Sequence, residues 1–316
     1  MRGPGTKSGA AALSICSNSL LIALKIVAGL LTGSIAIITE AIHSSIDLLA
    51  SVVAFISVRK ADQPADAEHP YGHEKVENVA AGIEGMLIVV GAGIIVFEAV
   101  RRLAVGAEVD TLGVGIAVVA FSAVANLGVS AFLSLRARQH GSAALEGDAA
   151  HLRTDALTSI GVLVGLALVE ITGESSFDSI AALAVAAVIV GTGVRLLSRS
   201  GRVLMDEAPP PEELDRIEAA IANARTDEMV GYHKLRARRA GLALYVDLHV
   251  QFLSGTTLER AHEVAHRLAE AIEREVPSAD VLVHVEPERS PGRPEGSPLR
   301  GAKLKSGSGE RSARGG

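Results

Sequence analysis

Apolar blocks separated by short polar stretches fill the chain from residue 13 to residue 198, and from about residue 207 the sequence turns charged and mixed. A bilayer core about 30 Å thick is crossed by about 20 helical residues. Six blocks meet that length: 13–31, 34–58, 79–101, 111–135, 150–171 and 177–197. The fourth carries no charged residue between Thr111 and Leu135, and only Thr32 and Gly33 part the first two, which predicts a tight hairpin. The first block, Leu13–Leu31 with Lys25 as its one charge, is read as a retained helix rather than a cleaved signal.

Past Asp206 the periodicity changes. Pro209, Pro210 and Pro211 followed by Glu212 and Glu213 predict a helix start, with Leu214, Ile217 and Ile221 at helical spacing. Residues 231–239 and 242–253 predict two strands joined near Gly241. In the second, Leu242, Leu244, Val246, Leu248 and Val250 alternate with polar residues. Leu258, Ala261, Ala265, Leu268 and Ile272 mark an amphipathic helix, and 279–286 a last strand. The order αββαβ predicts a small α+β domain, ferredoxin-like or metallochaperone-like. The expected organisation is a cytoplasmic segment 1–12, a six-helix transmembrane domain 13–205, a cytoplasmic αββαβ domain 206–288 and a disordered Gly/Ser/Pro/Arg-rich tail 289–316.

Composition narrows the function. The chain is 48% hydrophobic with a mean hydropathy of +0.34, and its net charge of -6 argues against a nucleic-acid partner. Cys16 is the one cysteine, so neither an internal disulfide nor a thiolate cluster is possible, and a metal site must use His, Asp and Glu. Arg59, Lys60 and Lys75 follow the second span, Arg136 and Arg138 the fourth, and Arg195, Arg199 and Arg202 end the sixth, against Arg101 and Arg102 on the other side. The excess predicts a multi-pass plasma-membrane protein with both termini in the cytoplasm.

Ionisable groups inside a span are expensive and need a reason. The second span holds His43-Ser44-Ser45-Ile46-Asp47, the fifth His151-Leu152-Arg153-Thr154-Asp155. Residues four apart share a helix face, so each pair offers an imidazole and a carboxylate on adjacent turns. Two such faces turned together supply four N and O ligands, the set a tetrahedral zinc ion takes. Glu40 and Glu84 are further acids in spans two and three, read as polar helix contacts rather than ligands.

With those pairs in place the sequence resembles the cation diffusion facilitator family, in the branch of bacterial zinc exporters, over about residues 10–288. The resemblance implies a transport site at His43, Asp47, His151 and Asp155. The stretch from Gln63 to Lys75 is similar to the family's loop between helices two and three, which implies a second, cytoplasm-facing metal site at Asp66, His69 and His73. In the tail domain it implies a binuclear zinc cluster at a dimer interface, with ligands His233, His249, His262, His284 and Glu286, and hence a homodimer. Of the ten histidines, only His140 and His266 fall outside these positions. Lys75 and Asp206 fall where the family places a charge pair.

The implied activity is efflux of a divalent cation, zinc first, in exchange for protons, since imidazole and carboxylate ligands bind either metal or protons. The metal is both cargo and a structural or regulatory ion. Other divalent metals (cadmium, iron, cobalt, nickel, manganese) and a non-transporting metal-sensor subunit are the alternatives. A metallohydrolase would need an open zinc position and a general base, so an enzyme is not expected. No GxxxxGK[ST] stretch is present, and ATP drive is not expected either.

Overall fold

The computed structural model describes residues 6–32, 35–105, 113–174 and 176–288, leaving out within its helices the side chains of 32, 35–40, 42, 43, 46, 105, 113–115 and 166. The predicted disordered tail, 289–316, lies outside the described residues. The described chain divides into two compact units at Met205/Asp206.

The first unit consists of six long helices: α1 Lys7–Thr32, α2 Ile35–Ala61, α3 Val76–Val105, α4 Gly113–His140, α5 Ala143–Thr172 and α6 Ser176–Leu204. Five of them, all but α2, are long and apolar enough among the described residues to cross a membrane. α2 has the length, 27 residues, but part of its apolar stretch falls on side chains outside the description. Each helix outruns the apolar block that predicts it. At 1.5 Å per residue, 26 to 30 residues span about 40–45 Å, more than a hydrocarbon core needs. The surplus turns bring in charged residues such as Lys7, Glu77, Arg136 and Glu146. Large apolar side chains such as Leu31, Phe97, Val124 and Ile171 stand on the outer surface, as expected of a bundle solvated by lipid tails.

Small residues set the crossings. A Cβ on Gly85 of α3 would lie 3.0 Å from the Leu197 backbone nitrogen of α6, and one on Gly193 of α6 would lie 3.0 Å from the Gly85 carbonyl. The two backbones are therefore in contact, the small-residue packing that apolar surroundings favour. α5 starts at an N-cap, where the Ser142 hydroxyl accepts from Leu145 N–H and donates to Glu77 of α3. Glu77 in turn accepts from Lys7 Nζ of α1 at 3.1 Å. Gly173, in the left-handed conformation at φ 74°, ends α5.

The second unit runs α7 Pro211–Asn223, β1 Met229–Ala240, β2 Ala243–Phe252, α8 Leu258–Glu275 and β3 Ala279–Pro287, the predicted αββαβ order. The sheet order is β1-β2-β3, with β1 antiparallel and β3 parallel to β2. Parallel neighbours need a crossover, and α8 supplies it. Leu244, Val246, Leu248, Val250 and Phe252 of β2 are buried with Ile217 and Ile221 of α7 and Val264, Leu268 and Ile272 of α8. The helices thus cover one face of the sheet, and the other face carries the polar half of the alternation.

Candidate metal centres

Among the described residues, three groups of His and carboxylate side chains converge, each with ligand atoms within 4.8 Å of one another: Asp47/His151/Asp155, Asp66/His69/His73 and His233/His249/Glu286. In a tetrahedral zinc site with bonds of about 2.0–2.1 Å, neighbouring ligand atoms sit about 3.3 Å apart. That spacing is the measure for each group.

Within the membrane unit, His151 of α5 points its Nε2 at Asp47 Oδ1 of α2, 3.2 Å away, and at Asp155 Oδ2 on its own helix, 3.8 Å away. The i,i+4 spacing stacks His151 and Asp155 on one face of α5, and α2 brings Asp47 to it. His151 is buried, while Asp47 and Asp155 are half-buried. The His43 side chain lies outside the described residues, as does that of Glu40. Behind the site, Glu84 of α3 is buried with its Oε2 3.6 Å from His151 Nδ1.

One turn earlier on α5 stands a feature the apolar-block reading passes over. Asp148 is fully buried and accepts at Oδ1 from Ser51 of α2 at 2.9 Å, while Asn18 of α1 donates to Ser51 at 2.8 Å and Ser14 lies 3.2 Å from the same hydroxyl. Placing the fifth span at 150–171 leaves Asp148 outside it. The helix starts at Ala143, and Asp148, His151 and Asp155 then fall at i, i+3 and i+7. That spacing is the signal in the sequence that marks Asp148.

In the α2–α3 connection, Asp66 Oδ1 accepts from the backbone N–H of His69 at 2.7 Å and of Glu68 at 3.0 Å. These bonds hold its carboxylate below the usual aspartate range, the His69 N–H first among the causes. His69 Nδ1 lies 3.2 Å from Asp66 Oδ1, and His73 Nε2 lies 3.4 Å from Asp66 Oδ2. Gly72, at φ 86°, makes the turn that brings His73 back against His69, their ring centroids 4.4 Å apart.

In the second unit the strand register makes the site. His233 pairs with His249 across β1 and β2, and His249 pairs with His284 across β2 and β3. The three imidazoles form one row on the uncovered face, with ring centroids 5.3 and 4.6 Å apart. Glu286, one pleat along β3, reaches into the row: Oε1 is 2.7 Å from His249 Nδ1, and Oε2 is 3.3 Å from His233 Nε2. His284 stands 3.8 Å from the same carboxylate and is more exposed. A β-bulge follows His233, where Lys234 takes φ 51° and the register shifts before Arg236. His262 is not brought to this row. It is exposed on α8, beside His266.

Comparison with known proteins places this architecture. The cation efflux transmembrane domain family matches residues 11–205, and the cytoplasmic domain of cation efflux proteins matches 209–288. This chain belongs to the cation efflux, or cation diffusion facilitator, family. Three curated relatives are similar to it over most of its length. The uncharacterized transporter sll1263 of Synechocystis is 36% identical over 281 residues, 89% of this chain and 90% of the relative. Metal tolerance protein C1 of Arabidopsis thaliana is 32% identical over 291 residues, 87% of this chain and 61% of the relative. The cation-efflux pump FieF of Pectobacterium atrosepticum is 31% identical over 278 residues, 88% and 92% of the two chains. As a cation diffusion facilitator, the chain is a multi-pass membrane transporter of metal cations and not an enzyme.

Proposed function

We propose that this cation diffusion facilitator exports zinc from the cytoplasm in exchange for protons, as a homodimer in the plasma membrane with both termini in the cytoplasm. The observation that carries the reading is the convergence of Asp47 from α2 with His151 and Asp155 from α5 at a buried position. Borderline N and O donors near tetrahedral-edge spacing suit zinc. His43, four residues before Asp47, completes the set of four ligands.

Each ligand binds a proton or the metal but not both, so release on the acidic side is a competition that protons win. The loop group Asp66/His69/His73 and the sheet row with Glu286 are further zinc sites in this reading. His262, apart from the row within one chain, joins its ligand set across the interface of two copies.

A second reading, export of another divalent cation, draws on the same pocket. Asp47 and Asp155 already give it two carboxylates, and oxygen donors favour harder metals such as manganese or iron. Reconstituted vesicles carrying a zinc-sensitive dye decide between the two. Zinc uptake driven by an imposed pH gradient, and abolished in Asp47→Ala and Asp155→Ala, supports the proposal. Absence of zinc flux in the native protein, with flux of another metal, overturns it in favour of the second reading.

A further inference from the structure

We infer that Glu84 is a positioning residue of the transport site: its carboxylate takes the Nδ1–H of His151 and thereby turns the Nε2 lone pair toward the cation between Asp47 and Asp155. The inference rests on the reading of that trio as the transport site and adds α3 as a third helix to its machinery.

The geometry divides the imidazole between two sets of acids. Nε2 faces Asp47 at 3.2 Å and Asp155 at 3.8 Å, while Nδ1, on the other edge of the ring, faces Glu84 at 3.6 Å. Glu84 therefore stands behind the ligand rather than beside the cation, and it falls outside the group whose atoms approach one another within 4.8 Å. Its side chain is 1% exposed, and neither oxygen has another hydrogen-bond partner among the described residues; His151 Nδ1 has none either. A carboxylate so buried, with no other hydrogen-bond partner among the described residues, is kept for the imidazole it faces.

The surrounding helices are shaped to admit it. Gly147 of α5, one turn before His151, has no Cβ; one placed there would lie 3.2 Å from both Cβ and Cγ of Glu84 and 3.2 Å from Ala81 Cα. On the far side, Gly85 locks α3 against α6 by backbone contact, so the Cα of Glu84 has little freedom to retreat. The stem thus passes through a gap that a single methyl group on α5 would close.

The chemistry needs such a partner. Neutral imidazole carries one N–H, and a metal is bound only by the nitrogen that lacks it. Inside a bilayer no bulk water holds the tautomer, so an acceptor at Nδ1 must. Carboxylates placed behind ligating histidines in this way are worth about 10–100-fold in metal affinity. The 3.6 Å separation is longer than a hydrogen bond and closes to one by a shift of about half an ångström.

Zinc-dependent flux in reconstituted vesicles tests the assignment through the KM for zinc. Glu84→Leu is expected to raise KM by about 10–100-fold with a smaller change in maximal rate. Glu84→Gln keeps an acceptor oxygen at Nδ1 and stays near the native KM. Gly147→Ala leaves the carboxylate intact but displaces it, and is expected to raise KM in between. A merely structural role would lower thermal stability and yield without moving KM, and would not distinguish Gln from Leu by KM. The inference is overturned if Glu84→Leu and Gly147→Ala keep the native KM, or if Glu84→Gln is as impaired as Glu84→Leu. Should Glu84→Leu fail to insert, the KM of Gly147→Ala decides alone. Native protein without zinc flux would sink the transport reading itself; native flux with unmoved variants sinks only the role of Glu84.

Discussion

The hydroxyl of Ser51 on α2 donates a 2.9 Å hydrogen bond to the buried carboxylate of Asp148 on α5, one turn before His151. Asn18 and Ser14 bring α1 to the same point. Leaving a buried acceptor without its donor costs about 1–3 kcal/mol, and in a membrane protein the unfolded reference recovers part of that. Ser51→Ala is therefore expected to lower stability by about 1–2 kcal/mol, read as an earlier thermal transition in detergent. An unchanged transition would show that the α1–α2–α5 junction does not depend on this bond.

At the α3–α6 crossing the two glycines make opposite predictions for one helix. A Cβ on Gly193 would meet Val89 Cγ2 at 2.8 Å and the Gly85 carbonyl at 3.0 Å, and the carbonyl cannot move cheaply. Gly193→Ala should destabilise by about 1–3 kcal/mol. Gly191, two residues earlier, has open space around its would-be Cβ. Gly191→Ala should be neutral or gain up to about 1 kcal/mol from helix propensity. Thermal unfolding of the two variants side by side checks both.

On the proposed reading, zinc held by the imidazole row stabilises the second unit. Metal at about 100 times its Kd stabilises a site by about 2.7 kcal/mol, so the native protein should gain thermal stability on zinc addition and lose it on chelation. His249→Ala removes the central donor, which is the one paired to both neighbours and to Glu286, and should abolish the gain. His266→Ala, an exposed residue beside Glu270 on α8, should leave it intact. A zinc-induced shift surviving in His249→Ala would count against the row as a site.

Acid acts on a different contact. The Arg260 guanidinium, 2.8 Å from Glu228, is the main cause that holds the Glu228 carboxyl down at about 2. Because the folded pKa is depressed, this contact stabilises fully above the ordinary glutamate value and fades as pH falls from there through about 2. Arg260→Ala removes the largest part of that dependence. Circular dichroism during acid titration should then show a flatter stability profile between pH 5 and pH 2 than in the native protein.

Legibility differed between the two units for physical reasons. The second unit could be read closely because its helices and strands differ in period: the alternation over 243–252 fixes both the strand and the face it buries. In the membrane unit, length and apolarity predict the helices but not their ends, since polar turns continue a helix beyond the hydrocarbon. Asp148 went unmarked for that reason. Glu84 is visible as a charge inside a span, but its task depends on which helix lies beside α3, and that is set by the glycine contacts at 85, 147 and 193. The separation of His262 from the strand row was equally hidden, because only tertiary structure places α8 away from the open face.

The bulge at Lys234 gives β1 a rule about length rather than composition. His233 and Arg236 are an odd number of residues apart, yet both face the uncovered side, opposite His249 and Asp247. If every residue of β1 were kept in a regular strand with no bulge, the part beyond Lys234 would turn over. Arg236 and Arg238, the latter stacked 4.9 Å from the centre of the Tyr245 ring, would be driven into the apolar layer, and Ala237 would be lifted out of it. Many side-chain exchanges on this strand are absorbed by the solvent. Losing the Lys234 codon would instead leave His233 and Arg236 two residues apart, the spacing of a regular strand, with both still on the uncovered face, so a deletion there is absorbed by the loss of the bulge.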